Sequence, residues 1–114
     1  FRRVLFRSQP ATARRKDVSA MVEDIVGCKW SLSVLRLVRD GVNRPGAMQK
    51  AVDGLSTKVL NERLRKLQRF GIVEKHAYPE IPPRVEYQLT DFGARFSSLL
   101  DGVASLQGWL DAKP

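Results

Sequence analysis

The sequence predicts a mainly α-helical domain that carries one small β-hairpin. Apolar residues recur at helical spacing in four segments between residues 17 and 70, and again in a long segment after residue 90. Two runs of strand type, joined by a proline-rich loop, lie between these segments. Only Asp53-Gly54-Leu55 separates the third and fourth helices. This order of four helices, a hairpin and a last helix is that of a winged helix-turn-helix.

The length of the chain predicts one domain, and its charge is basic overall but unevenly distributed. The 114 residues include 20 Lys+Arg against 12 Asp+Glu, for a formal net charge of +8, and a chain of this length forms a single core. Residues 36–84 hold eleven basic and five acidic side chains, whereas the stretches 17–35 and 85–114 are each net acidic. Nucleic acid is the default partner of a basic protein of this size.

Residues 1–16 form a separate basic segment that contains six Lys/Arg and no acid. The stretch from Ser8 to Ala13 has the composition of a linker, so we expect a disordered arm that can contact a phosphate backbone. The alternative is a non-native origin, because Arg2 to Ser8 resemble the translated read-through of a sequencing-library adapter. The winged domain is therefore expected to span residues 17–114.

The first three helices follow from apolar spacing and from the residues that begin and end them. The first is expected from Asp17 to Gly27, and the second spans Lys29 to Asp40 with a wide apolar face. Gly41 stands where a glycine commonly ends a helix. Pro45 suits the first turn of the third helix, because its missing N–H needs no partner there.

The fourth helix is predicted from Ser56, whose hydroxyl can cap orphan backbone N–H groups, to Phe70. Leu60, Leu64 and Leu67 form its buried stripe.

The hairpin and the last helix complete the predicted order. Ile72 to Tyr78 and Arg84 to Leu89 are the two strands, and three prolines in residues 79–83 predict an extended, projecting loop between them. Thr90 then caps the last helix, with Asp91 near its positive end.

The first turns of the fourth helix carry residue types that contact base edges in the major groove. Asparagine pairs bidentately with adenine, and lysine or arginine with guanine. The candidate DNA-binding residues of this helix are Ser56, Thr57, Lys58, Asn61 and Arg65. The alternative is an amphipathic helix with a solvated basic side. Its position after a short helical link and before a hairpin favours DNA.

Further cations are candidates for phosphate contacts. Arg84 follows the three prolines at the hairpin tip, where a guanidinium can enter the minor groove or bind phosphate. Lys29 and Arg44 are expected in the first turns of the second and third helices, close to their N-terminal amides. Lys75 and His76 are lesser candidates on the neighbouring strand. For each of these residues the alternative is a solvated surface side chain.

The last helix carries a heptad-like apolar seam that predicts self-association. A long terminal helix has more apolar face than one small core can absorb, and the first helix offers a second stripe through Val22 and Ile25. We therefore expect a homodimer. The seam consists of Phe92, Phe96, Leu99, Val103, Leu106 and Leu110.

Several classes of function are not supported by the residues present. One cysteine and one histidine provide neither a disulfide framework nor a zinc site, and they leave no constellation for catalysis. No cofactor, metal, membrane span or secretory leader is expected. Cys28 is a redox candidate at the expected start of the second helix, but its position beside Trp30 favours a structural role.

Three stretches resemble the HxlR-type winged helix-turn-helix transcriptional regulators: Gly27 to Leu32, Ser56 to Leu64 and Tyr78 to Thr90. The resemblance implies a bacterial or archaeal dimer that binds pseudo-palindromic operators through the recognition helix and wing, and that dimerises through its first and last helices. Cys28 departs from the family's common Gly-Gly-Lys-Trp. Some members sense oxidants through a cysteine before the first helix; no cysteine precedes it in this sequence, so that role does not transfer to Cys28.

The leading hypothesis is a homodimeric, sequence-specific regulator of transcription that binds double-stranded DNA without catalytic activity. It is expected in the bacterial cytoplasm, associated with the nucleoid, and no small-molecule effector can be named from the residues. The alternative is a winged-helix protein-interaction module whose basic face binds an acidic protein rather than an operator.

Overall fold

The computed structural model of the chain describes residues 17–113. It contains five helices and one antiparallel hairpin in the predicted order, which confirms the winged helix-turn-helix. Residues 1–16, for which a basic arm is expected, lie outside the described part of the chain. The elements are α1 (Val18–Gly27), α2 (Ser31–Arg39), α3 (Pro45–Ala51), α4 (Thr57–Arg69), β1 (Val73–Tyr78), β2 (Arg84–Leu89) and α5 (Asp91–Asp111).

Side-chain caps begin three of the helices. Asp17, Ser56 and Thr90 each accept a hydrogen bond from the backbone N–H three residues further along the chain. Each cap satisfies one of the donors that a helix start leaves without a partner, typically worth about 1 kcal/mol. The caps predicted at Ser56 and Thr90 are therefore confirmed.

The start of α2 differs from the prediction. Trp30 has a positive φ of 76° and is the N-cap, so the helix begins at Ser31 rather than at Lys29. A left-handed Trp is strained, but here its ring lies against Gly54, within 4 Å of where a Cβ on that glycine would stand. Lys29 consequently lies in the α1–α2 turn, not in the first turn of α2. Cys28 is the C-cap of α1 and not the start of a helix.

A single core lies between the helices and the inner face of the hairpin. All three leucines of the predicted α4 stripe are fully buried. The core is completed from α1, α2, α3, the start of β1 and the first half of α5 by Ile25, Val34, Leu35, Met48, Ile72, Val73 and Phe96. Helix α4 is thereby held along one whole side, and its other side faces solvent.

The hairpin runs in register from Val73 opposite Leu89 to Tyr78 opposite Arg84. Strand β2 also bonds to the segment that connects α2 and α3, because the Tyr87 N–H donates to the Asn43 carbonyl at 2.8 Å. This bond places the beginning of α3 beside β2.

The α5 helix packs on the core only through its first half. The seam predicted along its length is divided: Phe96 is buried and Phe92 partly buried, whereas the side chains from residue 101 to 111 are exposed. Packing of the first half instead follows the row of Gly93, Phe96, Ser97 and Leu100. Across the described residues, no helix is long and apolar enough to cross a membrane.

Candidate nucleic-acid interface

The outer face of α4 brings the predicted base-reading residues together. Ser56, Thr57, Lys58, Asn61 and Arg65 are all exposed. The last three follow one another at helical spacings of three and four, so their side chains share one face. Among residues 17–113, the side chains of Lys58, Asn61 and Arg65 make no hydrogen bond or ion pair, which leaves their polar groups available to a ligand.

The two hydroxyl residues at the start of α4 are engaged within the protein. The Ser56 Oγ accepts from the Val59 N–H at 3.2 Å, and the Thr57 Oγ1 accepts from the Gln49 side chain on α3 at 2.9 Å. The same Gln49 amide also donates to the Leu55 carbonyl at 3.4 Å. The two Gln49 bonds tie α3 to the start of α4, so Thr57 contributes to the geometry of the helix-turn-helix, whereas Ser56 caps α4.

Two further cations of α4 point back to the α1–α2 turn. The Arg63 Nε donates to the Lys29 carbonyl at 2.9 Å, and the Lys66 Nζ contacts the Asp24 carboxylate at 2.6 Å. Burial lowers the pKa of Lys66, but hydrogen bonds to Asp24 and Cys28 outweigh it, and the pKa is raised. Helical spacing puts both cations outside the leucine stripe, but it does not show what a side chain at the edge of the stripe contacts.

The β1–β2 hairpin is the wing of this fold, and its arginine, Arg84, is more confined than predicted. Arg84 is the first residue of β2, at the base of the loop rather than at its tip, and is about one-third exposed. Its guanidinium lies 3.1 Å from the Glu80 carboxylate and 3.6 Å from that of Glu86, and stacks over the Tyr78 ring at 4.0 Å. The side chain that projects fully from the loop is Ile81.

Arg44 lies beside Arg84 across a groove. It is the N-cap of α3 and so precedes the first turn in which it was expected. Its guanidinium is half exposed and lies 3.8 Å from Glu86. The groove between the α3 start and the wing has a volume of about 450 Å³ and is lined by Arg44, Pro45, Gly46, Glu80, Pro82, Pro83, Arg84 and Val85.

The remaining predicted phosphate contacts lie further from this groove. Lys29 is exposed in the α1–α2 turn, with its ammonium 5.2 Å from the Trp30 ring centre. Lys75 is exposed on β1 and His76 is partly buried there. None of these three residues lines the groove beside α3.

Cys28 lies at the junction of α1, α2 and α4 and is partly exposed. The nearby Ser31 hydroxyl, and after it the Lys66 ammonium, lower the pKa of the Cys28 thiol, although burial opposes the shift. A redox role for this residue stays a prediction. In the part of the chain from residue 17 to 113, no group of three or more His, Cys, Asp or Glu could hold a metal ion.

The predicted dimer residues divide into buried and exposed sets. Ile25 is 0% and Phe96 3% exposed within the protomer core, so these two cannot serve as surface contacts, and their assignment to a dimer interface is corrected. Val22 and Phe92 are partly buried against the same core. The exposed apolar side chains that remain on α1 and α5 are Val18, Val26, Leu99, Val103, Leu106, Trp109 and Leu110.

Comparison with known families agrees with this architecture. The family model described as HxlR-like helix-turn-helix matches residues 25–113. The chain belongs to the HxlR-like helix-turn-helix family. The match covers every element from the end of α1 to the end of α5, and this family membership confirms the resemblance found in the sequence.

Relatives of this HxlR-like chain are regulators of transcription. An uncharacterized HTH-type transcriptional regulator of Synechocystis, sll1512, is 44% identical over 91 residues, which are 79% of this chain and 67% of that protein. The reduced form of the Bacillus subtilis transcriptional regulator YodB superposes with a TM-score of 0.67 at 28% identity, covering 81% of this chain and 87% of that one. A MarR-family regulator of Enterococcus faecalis superposes at 0.66 with 31% identity, covering 89% and 92%.

Proposed function

We propose that this HxlR-like chain is a homodimeric transcriptional regulator that binds a pseudo-palindromic DNA operator and carries out no catalytic step. The observation that supports this most directly is the exposed face of α4. There, within the described part of the chain, Lys58, Asn61 and Arg65 follow one another without hydrogen-bond or ion-pair partners, on a helix that Gln49 of α3 and the core hold in place. A rigid helix with free donors and acceptors on its outer face is what major-groove recognition requires.

In this proposal α4 enters the major groove with its N-terminal half. Lys58 and Asn61 address base edges, a lysine favouring guanine and an asparagine adenine. Arg65, one turn further on, continues the contact toward the phosphate backbone. Arg44 and Arg84 approach the backbone on the wing side, and Lys29 approaches it from the α1–α2 turn.

The dimer in this proposal forms through the exposed apolar side chains of α5 and α1. Leu99, Val103, Leu106 and Leu110 are each about half exposed or more, and a contiguous apolar surface on a soluble domain marks an interaction site. A two-fold dimer places two recognition helices one turn of duplex apart, about 34–36 Å, so the operator has half-sites roughly 10 bp apart. The place of action that follows is the nucleoid in the cytoplasm.

Selection of bound sequences from a random duplex library, at physiological salt, tests the proposal. We expect a near-palindrome to be enriched and its affinity to fall steeply with salt, because phosphate neutralisation releases counterions. Enrichment of no sequence, or binding that is insensitive to salt, would contradict operator recognition and favour a protein-interaction module.

Variants of the recognition helix then locate the contact on the selected operator. Arg65→Ala and Lys58→Ala should each weaken binding by about 1–3 kcal/mol, roughly 5- to 150-fold, and Lys58→Ala should also relax sequence preference. Arg95→Ala is the matched control, because it removes the same charge from an exposed site on α5. If Arg65→Ala and Arg95→Ala titrate the operator alike, α4 is not the recognition helix.

A further inference from the structure

An acidic side chain lies on the proposed DNA-facing side, between two arginines. The side chain of Glu86 is only 15% exposed. The same carboxylate oxygen, Oε2, lies 3.8 Å from the Arg44 Nε and 3.6 Å from a terminal nitrogen of Arg84. The bond between the Tyr87 N–H and the Asn43 carbonyl holds these elements together, because it joins the residue after Glu86 to the residue before Arg44.

The position of this acid is unfavourable for DNA binding unless it has a second role. A carboxylate near phosphates repels them, and a partly buried charge needs compensation from opposite charges. Glu86 receives that compensation from two guanidiniums that would otherwise repel each other across the groove. Glu80 is different: it is half exposed on the loop and pairs with Arg84 alone, four residues along the chain.

Arg84 is also fixed from its other side. Its guanidinium stacks over Tyr78, the residue opposite it in the hairpin register. Its Nε is buried and has no hydrogen-bond partner among residues 17–113. The Arg84 side chain is therefore fixed at the groove, although its Nε–H donates to no group among residues 17–113.

We propose that Glu86 is a positioning residue of the DNA interface. It holds Arg44 and Arg84 together across the groove between α3 and the wing, so that both address one stretch of the phosphate backbone. This inference rests on the proposed function, and it assigns to one carboxylate the joint placement of a helix-turn-helix arginine and a wing arginine.

A matched pair of variants separates positioning from simple charge. Glu86→Gln and Glu80→Gln each remove one negative charge beside Arg84, so general electrostatics predicts equal or tighter operator binding for both. Positioning predicts that Glu86→Gln binds about three- to tenfold more weakly than Glu80→Gln. It also predicts a shallower salt dependence, by about one phosphate contact, because one arginine is no longer held in place.

A double-mutant cycle with Arg44→Ala identifies the coupled partner. In the Arg44→Ala background, the difference between Glu86→Gln and Glu80→Gln should shrink to about the square root of its value in the parent, roughly two- to threefold, since Glu86 then positions only Arg84. Circular dichroism and thermal melting of each variant show whether the fold is kept. If Glu86→Gln alone has a lowered melting temperature, operator binding by the double variant Arg44→Ala/Glu86→Gln provides a second measurement.

The outcomes separate this inference from the proposed function. If the parent protein selects no operator at any salt, both are overturned. If the parent binds its operator and Glu86→Gln titrates it like Glu80→Gln, or the cycle shows no coupling to Arg44, operator binding stands and the positioning role is refuted.

Discussion

Gly93 on α5 is the position where one added methyl group should disturb the structure most. A Cβ at this position would clash with the Ile72 carbonyl oxygen and lie 2.8 Å from its carbon. Real Cβ contacts do not fall below 3.0 Å. Both contacting atoms are backbone, so no side-chain rotation can relieve the clash. Gly93→Ala therefore requires α5 to move away from the start of β1.

The size of the effect follows from the contacts that this movement breaks. The Ile72 oxygen accepts from the Thr90 N–H at 3.0 Å and from the Thr90 Oγ1 at 3.2 Å. Each such bond is worth about 1 kcal/mol, and overpacking costs about 1–3 kcal/mol. We expect Gly93→Ala to lower the free energy of unfolding by about 3–5 kcal/mol and the melting temperature by more than about 12 °C.

Gly102→Ala is the control within the same helix. A Cβ at Gly102 would meet nothing within 4 Å, so this change should stabilise the helix by about 0.5–1 kcal/mol. Urea unfolding of both variants at one fixed protein concentration measures the difference, because a dimer makes apparent stability depend on concentration. A Gly93→Ala protein within 1 kcal/mol of the parent would refute the close approach of α5 to Ile72.

Two further predictions concern the dimer and the thiol. Leu106→Glu should bury an unpaired charge in the proposed interface and raise the dimer dissociation constant more than about 100-fold. Size-exclusion chromatography with light scattering measures the change, with Ser105→Glu as the control. Equal dimer masses for the two variants would contradict the α5 interface. Because the pKa of the Cys28 thiol is lowered by Ser31 and Lys66, its thiolate persists to lower pH than that of an ordinary cysteine. Iodoacetamide alkylation should therefore have its pH midpoint below the usual value, and Lys66→Met should move the midpoint upward; an unmoved midpoint would exclude Lys66 as a cause.

Local rules were sufficient for the elements of the fold. The caps at Ser56 and Thr90, and the leucine stripe of α4, depend on neighbours within one helical turn. Such short-range signals are present in the sequence itself. They placed the helices and the hairpin within about two residues of their observed bounds, and this was enough to identify α4 as the exposed helix of the helix-turn-helix.

The start of α2 could not be predicted in the same way. Trp30 adopts a left-handed conformation that its residue type disfavours. Contacts distant in sequence accompany it, including the packing of its ring near Gly54 and the bond from Arg63 to the Lys29 carbonyl. A helical pattern continues through this turn, so periodicity extended the helix by two residues.

The division of the α5 seam has a related cause. Spacing of four and three predicts one continuous apolar face, but it does not say how far the rest of the domain extends along the helix. The core reaches only to Leu100, and beyond that residue the same apolar spacing faces outward. Phe96 and Leu106 therefore belong to one apolar pattern, but Phe96 packs in the core and Leu106 faces outward.

Net charge overstates the positive charge that the folded domain can present to DNA. Six basic residues lie in residues 1–16, outside the described part of the chain. Of the eleven in residues 36–84, three are engaged in contacts between elements of the domain: Arg39 with Asp101, Arg63 with the Lys29 carbonyl, and Lys66 with Asp24. Contacts between the remaining cations and phosphates add affinity that does not depend on base sequence. Discrimination between sequences must then come from the placement of Lys58, Asn61 and Arg65 against base edges, and the contacts of Arg63 and Lys66 contribute by holding α4 in place.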